Sequence, residues 1–149
     1  MERVTDIDHD APVIVRASIE IDAPLELVWD LHSQVTAWPE WFSEIRLAEI
    51  DGPFAPGSTI TWGAHGYDAL FPARIGLIEH QRRTAWDGTN EGIYGIHAFT
   101  FSQRGSVTHV ETAESWNIDP GEHAVGTLQT FLQSWLNHLK DTAEDRARA

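Results

Sequence analysis

Alternating apolar and polar residues predict a half-buried strand near the start of the chain. Over residues 13–21 the odd positions are apolar, and three of the even positions are Arg16, Ser18 and Glu20. Asp22-Ala23-Pro24 then breaks the pattern, which indicates a helix start. We expect a short helix over residues 25–32 and a second brief helical turn over residues 38–42. Residues 1–12 are polar and are expected to form a flexible tail.

A period of two returns after residue 44 and predicts six further strands. Glycine and proline turn signals such as Gly52-Pro53, Asn90-Glu91-Gly92 and Arg104-Gly105 separate them. Connections this short favour an antiparallel meander, because parallel neighbours need long crossovers. The expected strands span residues 44–51, 58–64, 69–78, 84–87, 93–103 and 106–118.

The last pattern in the chain is helical and carries a broad apolar face. Asp119, Pro120 and Glu122 provide an N-cap, a first-turn proline and the capping-box spacing. Apolar residues then recur at helical intervals through Leu139, and a helix continued to residue 146 would be roughly 40 Å long. Such a helix needs a large apolar surface. The order β-αα-β-β-β-β-β-β-α predicts an α+β domain whose sheet bends around it.

Composition narrows the classes of partner and site. The 149 residues are 42% hydrophobic and 22% charged, which is typical of one globular domain. A formal net charge of −13 argues against nucleic acid and against docking on anionic membranes. Without cysteine, and with eight histidines outside metal-ligand spacings, no metal or cofactor site is expected. The chain has no signal-peptide pattern and no apolar run near the ~20 residues of a membrane span. We therefore expect a cytoplasmic location without stable membrane insertion.

Four stretches of the chain carry a family resemblance: residues 19–45 (IEIDAPLELVWDLHSQVTAWPEWFSEI), Pro56-Gly57-Ser58, Ala73-Arg74-Ile75 and residues 112–116. In these stretches the chain resembles the SRPBCC superfamily. This superfamily comprises START-like, or pollen-allergen-like, helix-grip domains, and the resemblance is to its polyketide cyclase/dehydrase-type branch. It implies one helix-grip domain over residues 13–147, with a curved antiparallel sheet, a long C-terminal helix and a mostly apolar cavity between them. Members of the superfamily have many functions, so the resemblance does not choose one.

Strand parity places one polar group on the otherwise apolar concave face. If Gln103 pairs with Ser106, His97 lies opposite Thr112 and Glu114 is its diagonal neighbour. His97 and Glu114 are then a candidate catalytic acid/base pair, because desolvation raises a carboxyl pKa while pairing favours charge on both groups. The alternative is a buried His–Glu hydrogen bond that only stabilises the sheet.

Strand parity, together with the apolar face of the last helix, selects the side chains that would contact a ligand in the cavity. Most are aromatic, as expected of a pocket for a planar guest, although ordinary core packing explains any single one of them. The candidates are Trp62, Phe71, Ala73, Trp86, Phe99, Thr112, Trp116, Leu128, Phe131, Leu132 and Trp135. The loop with His65, Tyr67 and Asp68 is interpreted as a solvated hairpin end.

Three functions are compatible with this pattern. The first is binding of a small hydrophobic or aromatic molecule such as a polyketide, lipid or quinone. The second is a cyclase or dehydratase reaction on a similar molecule, with His97 and Glu114 as acid and base. The third is a chaperone-activator-like interaction through the final helix or a sheet edge, which the polar outer positions of the helix disfavour. A monomer or a small homo-oligomer is expected.

Overall fold

The computed structural model describes residues 3–149. Seven strands form one antiparallel sheet in the order β1-β7-β6-β5-β4-β3-β2. They are β1 Val13–Ile21, β2 Ile45–Ile50, β3 Thr59–Ala64, β4 Phe71–Glu79, β5 Arg83–Asn90, β6 Ile93–Arg104 and β7 Val107–Trp116. From β2 to β7, strands that are neighbours in the sheet are also consecutive in sequence, as in a meander. The first strand, β1, pairs with the last, β7.

Three helices complete the fold: α1 Leu25–Ser33, α2 Trp38–Trp41 after a 3₁₀ turn at Val35–Ala37, and α3 Glu122–Ala147. The sheet curls into a half-barrel and α3 lies along β1 on its concave face. Register shifts between Ile45 and Leu47 and between Ile75 and Leu77 add to the bend, since bulges increase local twist. The predicted α+β helix-grip fold is confirmed.

The face of α3 that meets the sheet is apolar, as its periodicity predicts. Its buried residues are Leu128, Leu132, Trp135, Leu136, Leu139 and Ala143. The predicted N-cap is wrong, because the helix starts at Glu122 behind Gly121, which has φ +112°. The Asp119 carboxylate instead accepts a hydrogen bond from the Gly121 N–H at 2.9 Å, so it closes a local turn before the helix.

The turn between β6 and β7 places the two central strands in a register different from the predicted one. Arg104 pairs with Val107 across Gly105-Ser106, and Gly105 has φ +59°. The hairpin therefore uses glycine at the first central position, which suits a two-residue turn. As a result His97 lies directly opposite Glu114, and Thr112 lies opposite Phe99. The shift is two residues, so every side chain keeps its predicted face.

The N-terminal segment does not form the expected loose tail over residues 3–12. Ile7 is buried, and the Asp8 N–H donates to the Ser115 hydroxyl at 3.0 Å. The Arg83 side chain donates to the Thr5 carbonyl at 2.7 Å. A Cβ on Gly76 would lie 2.2 Å from the Val4 carbonyl oxygen, so this segment needs a glycine beneath it. The first two positions of the expected tail lie outside the described residues.

Candidate functional site

His97, Thr112 and Glu114 form a polar group on the concave face of β6 and β7. His97 Nε2 lies 2.7 Å from Thr112 Oγ1, and His97 Nδ1 lies 3.5 Å from Glu114 Oε1. The His97 side chain is 9% exposed and that of Glu114 is 20% exposed. The histidine is therefore inside the protein, and the glutamate side chain is partly exposed.

Hydrogen bonds fix the orientation of two members of this group. The Thr112 hydroxyl donates to the Ala98 carbonyl at 3.0 Å, across the β6–β7 pair. The indole N–H of Trp116 donates to Glu114 Oε2 at 2.6 Å. A Cβ on Gly95 would lie 3.3 Å from Trp116 Cδ1, so glycine at that position leaves room for the indole. Glu114 Oε1 is left facing His97.

Burial changes the proton affinity of both titratable groups in opposite directions. It lowers the pKa of His97 to about 3, because the charged imidazolium is desolvated. It raises the pKa of Glu114 to about 7, although the hydrogen bond from Trp116 acts in the opposite direction. Both shifts favour the uncharged forms. Two opposite charges buried at this distance would have to compensate a large desolvation cost, so the two groups are expected to be neutral together between about pH 3 and pH 7, the range between their two pKa values.

Aromatic rings surround the imidazole of His97. Trp135 on α3 stands edge-on to it at a centroid distance of 5.5 Å, and Phe99 and Trp86 lie at 4.5 and 5.7 Å. These rings are themselves buried, with Trp135 and Phe99 each 1% exposed. The concave face next to the polar group is therefore lined by closely packed rings that present flat apolar surfaces.

A second aromatic group leads from this interior to the edge of the sheet. Phe131 on α3 stacks on Trp62 of β3 with centroids 5.4 Å apart and planes 13° apart, and Trp62 also contacts Phe71. Phe131 contacts Trp135 at 5.9 Å. Three successive ring contacts thus connect Trp62 to His97.

An open cleft of about 630 Å³ lies beside Phe131, between α3 and the strand ends near Ala64. Its lining residues are Ser43, Glu44, Ala64, His65, Tyr67, Glu122, His123, Gly126, Thr127, Thr130 and Phe131. His65 and Tyr67 line it, so their loop contributes to a cleft wall as well as being solvated. Phe131 belongs both to the cleft and to the ring series that ends at His97. The Phe131 ring is therefore the contact between the cleft and the ring series that ends at His97.

The structure distributes the predicted ligand-contacting residues over three places. Phe131 alone among them lines the cleft, with Trp62 and Phe71 packed next to it. Trp116 is half-buried beside Glu114. The remaining predicted residues are buried in the concave core: Ala73, Trp86, Phe99, Thr112, Leu128, Leu132 and Trp135. The other cleft residues were not among the predicted contacts, because their proximity depends on how α3 lies against the far edge of the sheet.

His32 on α1 is a buried polar residue that the sequence analysis did not select. It is fully buried, and its Nε2 lies 3.0 Å from the Thr84 hydroxyl. Its ring stacks on Trp86 and lies 4.5 Å from Phe99. Burial, with a smaller contribution from His97, lowers the pKa of His32 to about 3. It lies on the buried side of α1 with Val28 and Trp29, and nothing in the sequence spacing distinguishes it from a core residue.

Four buried polar side-chain atoms among residues 3–149 have no hydrogen-bond partner: the indole nitrogens of Trp41 and Trp135, Nδ1 of His32 and Oε1 of Glu79. Those of Trp135 and His32 belong to the rings packed around His97 and Phe99. Buried polar atoms are rarely left without a hydrogen bond, so each such case needs an explanation. A guest with polar atoms, or ordered water, would satisfy them. No cluster of three or more potential metal-ligating side chains occurs in the same range.

The fold and this site define a START-like helix-grip protein. Residues 12–144 match the sequence profile of the family described as polyketide cyclase / dehydrase and lipid transport. The chain belongs to that family, and the resemblance found in the sequence is confirmed. Family and fold together indicate hydrophobic ligand binding. No helix among the described residues has the length and hydropathy to cross a bilayer.

Solved structures from several organisms share the fold. A hypothetical protein from Helicobacter pylori aligns with a TM-score of 0.79 at 15% identity, covering 96% of this chain and 99% of that one. A START superfamily protein from Mycobacterium smegmatis aligns with a TM-score of 0.69 at 16% identity, and the alignment covers 91% of this chain and 97% of that one. Norcoclaurine synthase from Thalictrum flavum, solved with a transition-state analogue, aligns with a TM-score of 0.70 at 10% identity. That alignment covers 90% of this chain and 95% of the synthase. At these identities the likeness shows the fold alone.

Proposed function

We propose that the protein binds a small planar hydrophobic molecule between α3 and the concave face, with the molecule's polar end at His97, Thr112 and Glu114. The observation that carries this proposal is the ring series from the cleft to His97, through Phe131 and Trp135. A flat guest can stack on these rings in place of the ring–ring contacts that it displaces, so the free energy of apolar contact changes little when the guest enters. The buried polar atoms of Trp135 and His32 favour a guest over a purely structural core.

The cleft is the proposed opening, with the Phe131 ring as its gate. Phe131 is only half-buried, and its stacking partner Trp62 is also half-buried, so these rings can move at lower cost than Trp135. Movement of Phe131 away from Trp62 would connect the cleft to Trp135. Binding is therefore expected to depend on access through the cleft as well as on the interior.

Stopped-flow quenching of tryptophan fluorescence by naphthalene tests this route. Thr130→Trp should fill the cleft and slow association at least about tenfold, whereas Phe131→Ala should accelerate it by removing the gate. Asn137→Trp is the matched control, because Asn137 is exposed on α3 and does not line the cleft. Equal rates for Thr130→Trp and Asn137→Trp would rule out the route. Absence of saturable binding would rule out the function.

A second candidate is an enolising enzyme of the cyclase or dehydratase type, favoured by the pKa of Glu114 near 7, although the lowered pKa of His97 makes the imidazole a weak base. Protonated Glu114 would donate to a ketone oxygen while His97 Nδ1 accepts the proton from the adjacent carbon. The C–H electron pair then forms the C=C bond of the enol, and the pair becomes Glu⁻ and His⁺. Both protons return when the ketone re-forms, so no co-reactant is needed.

Deuterium exchange into 2-tetralone in D₂O, followed by NMR, tests the second candidate. Catalysed exchange should occur with the unchanged protein and be lost in both Glu114→Gln and His97→Ala. If these variants bind the ketone normally and the unchanged protein gives only the solvent rate, the enzyme candidate is rejected and the binding protein is retained. The exposed positions of α3 before its last residue, Ala147, are polar or glycine, among them Thr127, Gln129 and Asp141, which gives no support to the interaction function.

A further inference from the structure

The hydroxyl of Thr112 has one proton and two neighbours that could take it. It donates to the Ala98 carbonyl at 3.0 Å and lies 2.7 Å from His97 Nε2. A backbone carbonyl can only accept, whereas a histidine nitrogen can donate or accept, so both contacts are hydrogen bonds only when the hydroxyl donates to Ala98. The contact with His97 is then a hydrogen bond donated by the imidazole, and Nε2 carries the hydrogen.

This assignment leaves Nδ1 of neutral His97 as an acceptor that faces Glu114. The separation of 3.5 Å from Nδ1 to Oε1 exceeds that of an ordinary hydrogen bond. Oε2 already accepts from Trp116, so a proton on the carboxyl sits on Oε1. The site therefore presents one free donor, the Glu114 O–H, beside one free acceptor, His97 Nδ1.

The charges around the site restrict the guest further. The buried polar side chains in residues 3–149 are histidine, threonine and serine, with no lysine or arginine among them. A carboxylate guest would meet the Nδ1 lone pair without a cation to compensate its desolvation. A hydroxyl group can accept from Glu114 and donate to His97 at the same time.

We propose that Thr112 fixes the His97 tautomer, and that the resulting donor–acceptor pair selects an aromatic guest with an uncharged hydroxyl group over its carboxylate counterpart. This specificity rests on the proposed binding function and names its ligand class, a phenol or naphthol. Thr112 is a positioning residue here, because it acts on the guest through His97. A carbonyl guest would satisfy Glu114 only and should bind more weakly than the hydroxyl compound.

Competition and direct binding with a naphthalene series test the specificity. The probes are 2-naphthol, 2-naphthoic acid as its carboxylate, 2-naphthylmethylamine as its cation, and unsubstituted naphthalene. We expect 2-naphthol to bind roughly tenfold more tightly than naphthalene, as one good hydrogen bond allows, and the carboxylate more weakly than naphthalene. Equal or tighter binding of the carboxylate or the cation overturns the inference.

Thr112→Val and Thr112→Ser separate positioning from packing. Valine removes the hydroxyl at similar volume, so it should abolish the preference for 2-naphthol while naphthalene still binds, and serine should restore the preference. The ¹⁵N shifts of His97 should show Nε2–H in the unchanged protein and in Thr112→Ser, and lose this strong bias in Thr112→Val. Naphthalene binding without a hydroxyl preference overturns the inference alone. No binding by any probe overturns the proposed function as well.

Discussion

His97 and Glu114 lie directly opposite each other on β6 and β7, yet His97 Nδ1 and Glu114 Oε1 remain 3.5 Å apart. Each has a closer partner on its other side, Thr112 for the histidine and Trp116 for the carboxyl. The two groups are thus held facing one another by neighbours, and their mutual contact is incomplete. An oxygen atom from a guest can complete it, which explains why a polar group occurs in an otherwise aromatic interior.

The stability of the protein should depend on the ionisation of Glu114. Its pKa rises from 4.5 to about 7 on folding, so the folded state holds its proton more tightly than the unfolded state. The contribution of Glu114 to the free energy of unfolding is fully present below pH 4.5 and is lost as the pH rises through 7. At about 1.4 kcal/mol per pKa unit, and with a partly exposed carboxyl, the loss is roughly 2 kcal/mol.

Urea unfolding of the unchanged protein and of Glu114→Gln between pH 4.5 and 7.5 measures this loss. The variant should gain stability relative to the unchanged protein as the pH rises. The pKa values of His32 and His97 are lowered to about 3. Each therefore adds to the free energy of unfolding of both proteins as the pH rises from 3 to 6.5. Their contribution largely cancels in the difference. A difference that does not vary with pH would contradict the raised pKa of Glu114.

Trp116→Phe should raise the pKa of Glu114 above 7. The indole N–H stabilises the carboxylate, and phenylalanine keeps an aromatic ring but removes that donor. Titration of the side-chain carbon by ¹³C NMR measures the shift directly. Trp62→Phe serves as the control, since Trp62 makes its ring contacts with Phe71 and Phe131. An unchanged or lowered pKa in Trp116→Phe would show that the hydrogen bond does not hold the carboxyl.

Gly76→Ala should release the N-terminal segment from the sheet. The added Cβ would lie 2.2 Å from the Val4 carbonyl, and backbone there must move. We expect a loss of about 1–3 kcal/mol in unfolding free energy and faster hydrogen exchange at the Asp8 amide. Gly126→Ala, where a Cβ meets open space on α3, should instead stabilise by about 0.5–1 kcal/mol. Retained protection at Asp8 in Gly76→Ala would argue that the segment is not docked through this contact.

Glu91→Asn should stabilise the β5–β6 hairpin. Glu91 and Gly92 form its two-residue turn with φ +51° and +81°, and only the second position is a glycine. Asparagine adopts positive φ more readily than glutamate, so a gain of roughly 0.5 kcal/mol is expected in thermal or urea unfolding. Glu49→Asn, on the strand β2, is the control and should not stabilise. A loss of stability in Glu91→Asn would mean that glutamate makes a compensating contact.

The sequence determined the faces of the strands better than their register. Period-two parity placed His97, Thr112 and Glu114 on one face because alternation depends only on local backbone geometry. It did not locate the β6–β7 turn at Gly105-Ser106, because a shift of two residues leaves every face unchanged. The pairing of His97 with Glu114, and of Thr112 with Phe99, therefore appeared only in the structure.

Tertiary placement explains what sequence patterns missed in the candidate site. Ser43, Ala64 and His123 are far apart in sequence and line one cleft because the fold brings the first turns of α3 near the end of β3. His32 enters the aromatic interior because α1 packs against the concave side, and a single histidine on an apolar helix face has no periodic signature. Positions of this kind follow from packing between elements, which local spacing does not encode.

The most direct test of the central claim is the location of bound 2-naphthol by intermolecular nuclear Overhauser effects. The account predicts contacts from the guest to the Trp135 ring and to the His97 imidazole, with Phe131 displaced from Trp62. Contacts confined to the outer cleft, at Tyr67 and His123, with Phe131 still stacked on Trp62, would contradict it.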